Sequence, residues 1–217
     1  TVAGWSWRRR WTIPGRRPWN GWWRLKVRDY ELLIFDWDGT LVDSIERIVQ
    51  AMRMAGQCCE LAPRDDASIR AIIGLGLPEA IRVLHPELLE PALIERFRAR
   101  YGEHYVLLER QPSQLFVGVA EALEAFRGED YRLAVATGKT RRGLRRALAD
   151  RGWLDYFDIT RCADETASKP DPRMLHEILA HCRVAPERAL MVGDSAFDLV
   201  VARNAGLDSV AVGYGPH

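Results

Sequence analysis

The stretch ELLIFDWDGT, Glu31 to Thr40, carries four consecutive apolar residues into two carboxylates, Asp36 and Asp38, placed one residue apart before Gly39. A run this short, apolar at every position, reads as a β-strand covered on both faces. The same form returns in RLAVATG (Arg132 to Gly138), ALMVGD (Ala189 to Asp194) and SVAVGYG (Ser209 to Gly215). Helical periods separate these runs. They lie at Arg141 to Asp150, at Pro172 to Cys182 with Asp171 as its N-cap, and at Phe197 to Asn204 closed by Gly206. Strands alternating with helices imply right-handed crossovers and an α/β fold built on a doubly wound parallel sheet. The segment from Asp43 to Pro112 breaks the alternation and reads as helix after helix: Ser44 to Cys59, Pro78 to Leu84 and Pro91 to Leu108. It is an all-helical insert placed directly after the first strand.

The 217 residues suit a medium domain carrying such an insert, and an apolar fraction of 47% suffices for a core. The net charge of +1 is unevenly spread. Residues 1–28 hold eight basic side chains and no acid, whereas the remainder carries 23 basic against 30 acidic residues. Six of the eight tryptophans (Trp5, Trp7, Trp11, Trp19, Trp22, Trp23) fall in that same stretch without a helical or alternating period. Residues 1–28 therefore read as an appended, disordered Trp/Arg-rich tail. The competing reading is a non-catalytic nucleic-acid or membrane binder that acts through the tail, with the core as a scaffold.

Four cysteines without CxxC spacing suit a reducing cytoplasm, and the five histidines show no metal-ligand spacing. No apolar run approaches the roughly 18 residues of a membrane helix, and with the basic tail read as a disordered extension neither a membrane nor a nucleic acid is the expected partner. Nothing in the pattern decides between monomer and dimer.

In an open parallel sheet, ligands bind beyond the carboxyl ends of the strands. Those ends carry Asp36, Thr137 and Asp194, and the loop ETASKPDP adds Lys169 on the extended backbone that precedes Pro170. Carboxylates, a hydroxyl and an ammonium together suit a phosphate ester held beside a divalent cation. Hard carboxylate oxygens suit Mg²⁺, while Thr and Lys answer the phosphate oxygens. Within DWDGT, Asp36 can attack phosphorus to form an aspartyl phosphate, while Asp38 protonates the leaving alcohol and later deprotonates water. Trp37, between them, points away and packs. Lysine is rare, three residues against 28 arginines, yet Lys139 and Lys169 both fall in these loops, where a compact ammonium matters. Asp43, with Glu46 three residues on, reads as the N-cap of the first insert helix. Arg141, Arg142, Arg145 and Arg146 read as a solvated helix face.

These residues resemble the haloacid dehalogenase-like hydrolase superfamily, most of whose members are phosphatases. Its four motifs occur in order: DWDGT at 36–40, ATGK at 136–139, KP at 169–170 and GDSAFD at 193–198. The likeness spans roughly residues 30–215. VATGKTRRGLRRAL, TRCADETASKPDP and MVGDSAFDLVVARNAG look most like the bacterial phosphoglycolate phosphatase-like branch. The resemblance implies a Rossmann-like catalytic core at 29–42 and 113–217 and a helical cap at 43–112. It also implies Mg²⁺-dependent hydrolysis of a small phosphorylated metabolite, with phosphoglycolate as the default.

Residue by residue, the resemblance makes Asp36 the nucleophile and a metal ligand, and Asp38 the acid/base, ligating metal through its backbone carbonyl. Thr137, with backbone amides near Gly138, holds the phosphoryl oxygens, and Lys169 neutralises their charge. Asp194 ligates Mg²⁺, and Asp198 supports the metal's water shell or orients Lys169. The presence of Asp38 favours phosphate esters over carbon–halogen bonds. Gly74 and Gly76 in IIGLGLPEAI fall in the cap loop that reaches toward substrate; without a third glycine or a preceding strand they are no dinucleotide fingerprint. A sugar phosphomutase or a pyrophosphatase of the same fold is the alternative activity. Two departures stand out. Val117 replaces a proline in the turn returning from the cap, and the chain stops at GYGPH, a strand and a helix short of relatives, which reads as a truncated C-terminus.

Overall fold

A computed structural model describes residues 30–110 and 112–214. The Trp/Arg-rich tail expected at 1–28 lies outside them. Five strands, β1 (Leu32–Phe35), β2 (Arg132–Thr137), β3 (Ile159–Cys162), β4 (Ala189–Gly193) and β5 (Asp208–Ala211), form one sheet in the order β3-β2-β1-β4-β5. Every pairing is parallel, with Ile34 opposite Ala134 on one side and Met191 on the other. Eight α-helices accompany the sheet among the described residues: α1 (Ile45–Cys58), α2 (Asp66–Arg70), α3 (Leu77–Leu84), α4 (Pro91–Leu108), α5 (Val119–Gly128), α6 (Arg141–Ala149), α7 (Arg173–Cys182) and α8 (Ala196–Ala205).

The unbroken apolar run of β1 has a direct cause, because successive side chains leave a strand on opposite faces and both faces are covered. Leu32 and Ile34 enter a core with Met174 and Ile178 of α7 and Val201 of α8. Leu33 and Phe35 enter another with Leu123 of α5 and Leu144 and Leu148 of α6. This is the doubly wound, Rossmann-like α/β arrangement expected of alternating strands and helices.

Helices α1 to α4 bury a third cluster of their own, centred on Ile48, Met52, Ile81 and Phe97. Two neighbouring segments tie this layer to the sheet. Val42 and Leu115 form an antiparallel bridge, the Asp43 amide donates to the Gln114 carbonyl, and the Phe116 amide donates to the Leu41 carbonyl. Tyr214 braces the same segments: its hydroxyl donates to the Thr40 carbonyl at 2.9 Å and its ring lies 4.6 Å from that of Phe116.

Several elements differ from the sequence reading. β3 went unread because it lies at the edge with polar Thr160 and Arg161 at its centre, and α2 because it is only five residues long. α5, which buries Val119 and Leu123 and packs Phe126 against Phe35, fell between the segments that were read. β5 closes at Ala211, earlier than the expected Gly215. Asp43 is not a cap: α1 begins at Ile45 with Ser44 at its N-cap, and Asp43 is exposed. α7 starts one residue later than expected, with Pro172 at the N-cap, although Asp171 does accept the Arg173 amide at 2.9 Å. Val117 is fully exposed, and the left-handed bend beside it (φ 87°) is made by Gly118.

Candidate active site

β1 ends at Phe35, so Asp36 stands at the carboxyl edge of the sheet, its amide donating to Val192 of β4 at 2.9 Å. β2 and β4 deliver Thr137 and Asp194 to the same edge. The chain then turns tightly, with the Leu41 and Val42 amides both donating to the Trp37 carbonyl. Gly39 is required here twice over. Its φ is 88°, and a Cβ would stand 2.4 Å from Asp194 Oδ2. Trp37 packs as the alternation predicts, 1% exposed among Leu33, Phe35 and Leu123.

Lys169, preceding a cis proline, reaches this edge fully buried. Its ammonium donates to Asp36 Oδ1 at 2.9 Å and to Asp198 Oδ1 at 2.5 Å. The other oxygen of Asp198 accepts the Ser195 amide at 3.0 Å and the Ser195 hydroxyl at 2.7 Å, a capping box at the start of α8. Thr40 donates to Asp194 Oδ1 at 2.8 Å. Asp36, Asp194 and Asp198 each present an oxygen within 4.8 Å of the others, and all three are buried.

Burial pushes the Asp36 carboxyl up to about 8; Lys169 opposes the rise, and the charges of Asp198 and Asp194 add to it. Burial disfavours charge on Lys169 as well, but Asp198 and Asp36 more than offset this and hold its ammonium above the ordinary lysine value. Three carboxyl groups face one ammonium, so the cluster can take up further positive charge. The donors are hard oxygens, and Gly39 leaves their approach open. The set could hold a divalent cation of the Mg²⁺ class. Both oxygens of Asp198 are already bonded within the protein.

Asp38 lies beside this cluster in a different setting. Its Oδ1 accepts from Ser44 at 2.6 Å and from Lys139 Nζ at 3.0 Å, and Lys139 also donates to the Tyr105 hydroxyl at 3.0 Å. Burial opposes charge on Lys139, yet Asp38, Tyr105 and Tyr101 together keep the ammonium well above its usual range. The sequence reading singled out Lys139 but missed the tyrosines of α4 and Ser44, which meet it only through the fold. Ser195 had a visible signal, since it stands three residues before Asp198 in the spacing of a capping box.

The expected phosphate-binding residues also meet here. Thr137 is 1% exposed and its hydroxyl accepts the Lys139 amide at 3.1 Å. A Cβ on Gly138 would lie 2.4 Å from the Leu75 carbonyl oxygen and 2.7 Å from that of Gly74. A Cβ on Gly74, at φ 107°, would lie 3.0 Å from the Ser195 hydroxyl oxygen, and the Gly76 amide donates to Ser168 at 2.7 Å. The loop carrying Gly74 and Gly76 therefore touches the segments that follow β2, β3 and β4. A cavity of about 950 Å³ lies between the sheet edge and helices α1, α3 and α4. The arginine run of α6 is not the uniform solvated face expected: Arg146 pairs with Glu109, Arg141 with Glu165, and Arg142 lines the cavity.

A carboxylate just beyond the central strand, a buried lysine and a second acid in the adjoining turn thus meet at one sheet edge, and comparisons with known proteins place the chain in a family. The family model described as haloacid dehalogenase-like hydrolase matches residues 33–212. A Dickeya dadantii protein named "Probable phosphatase IndB" is 36% identical over 193 residues, covering 86% of this chain and 82% of that one. The phosphoglycolate phosphatase of Nitrosococcus oceani is 30% identical over 194 residues, covering 87% and 86%. The crystal structure of a haloacid dehalogenase-like hydrolase from Bacteroides fragilis superposes with a TM-score of 0.80 at 27% identity, covering 87% and 90%. The chain belongs to the haloacid dehalogenase-like hydrolase family. Among the described residues no helix is long and apolar enough to cross a membrane.

Proposed function

We propose that the protein is a Mg²⁺-dependent phosphomonoesterase that works through an aspartyl phosphate on Asp36, with the helical segment 43–112 acting as a cap. The observation that carries this reading is the convergence of Asp36, Lys169 and Asp194 at one sheet edge with Asp38 in the next turn. The phosphatase names of the relatives support the class of bond. Bound at Asp36, the Asp38 carbonyl and Asp194, Mg²⁺ would supply the positive charge that the carboxylates and a phosphoryl group together lack.

The protein's own groups account for the remaining steps. Lys169 favours the ionised form of Asp36 and faces the phosphoryl charge, while Asp198 holds Lys169 in place. Asp36 attacks phosphorus as the P–O bond to the alcohol breaks, and Asp38 delivers a proton to that alkoxide oxygen. Asp38 then takes a proton from the water that hydrolyses the acyl phosphate. Thr137 and the Gly138 amide hold the phosphoryl oxygens, and the loop at Gly74 to Gly76 limits water while the cap is seated. Phosphate release from a phosphomonoester with Mg²⁺, with chelator, and with Asp36→Asn tests the proposal. Metal-dependent release abolished in the variant is expected; equal release by Asp36→Asn would overturn the assignment of the nucleophile.

A further inference from the structure

The alcohol half of the ester is constrained by the cavity above the site. Given the phosphatase reading, on which this rests, the geometry points to a monoester of a bulky, uncharged, ring-bearing alcohol of about nucleoside size, rather than of a short alcohol carrying a carboxylate. Size is the first reason. About 950 Å³ is at the upper end of the roughly 300–1,000 Å³ typical of sites that enclose whole drug-sized ligands. A two-carbon alcohol leaves most of that space to water.

The lining is the second reason. Ile48 and Met52 of α1, Leu77 and Ala80 of α3, and Val106 and Leu107 of α4 form much of the wall, with Tyr101 and Tyr105 beside them. The aliphatic part of such a wall favours carbon and planar rings over a carboxylate. Charge is the third reason. Of the cations on the wall, Lys139 is held by Asp38 and Tyr105, Arg98 by Glu95 at 2.5 Å, and Arg146 by Glu109. Among the described residues of the wall, that leaves Arg142, on the exposed start of α6. A carboxylate two carbons from phosphorus stays near Asp36, where Lys139 and Lys169 already answer aspartates.

Gly102 adds an independent observation. Gly102 is one of the α4 residues that line the cavity, between Tyr101 and Tyr105. Glycine inside a helix is destabilising relative to alanine. Here no packing demands it, since a Cβ would meet nothing within 4 Å. Its effect is to leave room over the cavity.

The test compares kcat/KM of the full chain with Mg²⁺ on a nucleoside 5′-monophosphate, benzyl phosphate and 2-phosphoglycolate, then repeats the panel with Gly102→Phe and the smaller Gly102→Leu. The nucleoside and benzyl esters are expected to exceed phosphoglycolate by roughly tenfold or more, and that ratio to fall by roughly tenfold in Gly102→Phe. A preference for phosphoglycolate, or a ratio that neither variant moves, overturns the inference and leaves the phosphatase reading standing. No release from any ester by folded, Mg²⁺-supplied protein overturns the phosphatase reading, and this inference with it.

Discussion

Replacing Gly138 by alanine separates the chemistry at the sheet edge from the seating of the helical layer upon it. Gly138 does not occupy a left-handed conformation, so alanine fits its backbone and keeps the amide proposed to hold the phosphoryl oxygens. The added Cβ would stand 2.4 Å from the Leu75 carbonyl oxygen and 2.7 Å from that of Gly74, whereas real Cβ atoms essentially never come within 3.0 Å of such a neighbour. Both are backbone atoms, so no rotamer relieves the clash and the loop must withdraw by about 0.6 Å or more. Overpacking of this kind costs about 1–3 kcal/mol. Here it falls on the seated arrangement alone, because the nearest atoms all belong to the loop. The seated population, and with it kcat/KM, should drop roughly 5- to 150-fold. Steady-state kinetics on one ester, set beside thermal unfolding, reads the result: a large loss in kcat/KM with Tm lowered by only about 2–4 °C per kcal/mol. A kcat/KM within twofold of the parent would refute the claim that the loop rests on Gly138 during turnover.

Three further outcomes follow from the charge cluster. Lys169→Met leaves Asp36 and Asp198 buried without their shared ammonium; unfolding by denaturant at pH 8 should show a loss of about 3–5 kcal/mol, which shrinks in acid as the carboxyls take up protons. In chelator, stability should fall as pH rises from about 4 to about 8. The unfolded Asp36 ionises near 3.8 while the folded one stays protonated to about 8, so its contribution is present below the first value and lost through the second. The loss is at most about 5–6 kcal/mol, and Mg²⁺ added at pH 8 should restore Tm; a flat Tm from pH 4 to 8 would count against a raised Asp36. Lys139→Met leaves Asp38 oriented by Ser44 alone, and kcat should fall by roughly 10- to 100-fold with a smaller change in KM. An unchanged kcat would show that Lys139 does not position Asp38.

The parts of this molecule that were legible in the sequence are those whose causes are local. β1 could be read because both its faces are covered, which makes every residue apolar, and α4 because its periodic pattern is bounded by Pro91. The edge strand β3 carries Thr160 and Arg161 in place of an apolar run, so nothing marked it. At the site, Asp36, Thr137 and Asp194 were visible as polar residues ending apolar strands. The Lys139 bridge from Asp38 to Tyr105 was not, because its ends lie 101 and 34 residues from Lys139 and no pattern within one element connects them. Ser44 misled in the opposite way. Its neighbour Asp43 has the better capping spacing, but the Ser44 hydroxyl turns instead to Asp38.

The central position of β1 also sets an order of events during synthesis. Asp36 is made 133 residues before Lys169, and Asp198 follows 29 residues later still. At cellular elongation rates that gap lasts on the order of 10 s. β2 is made within that gap, but β4 follows only after Lys169; until both Lys169 and β4 have arrived, the Asp36 carboxylate is an ordinary solvated acid. The unusual proton affinity of Asp36 therefore arises only when the last third of the chain arrives, so a ribosome stalled before Lys169 would display a complete DWDGT motif with none of its chemistry.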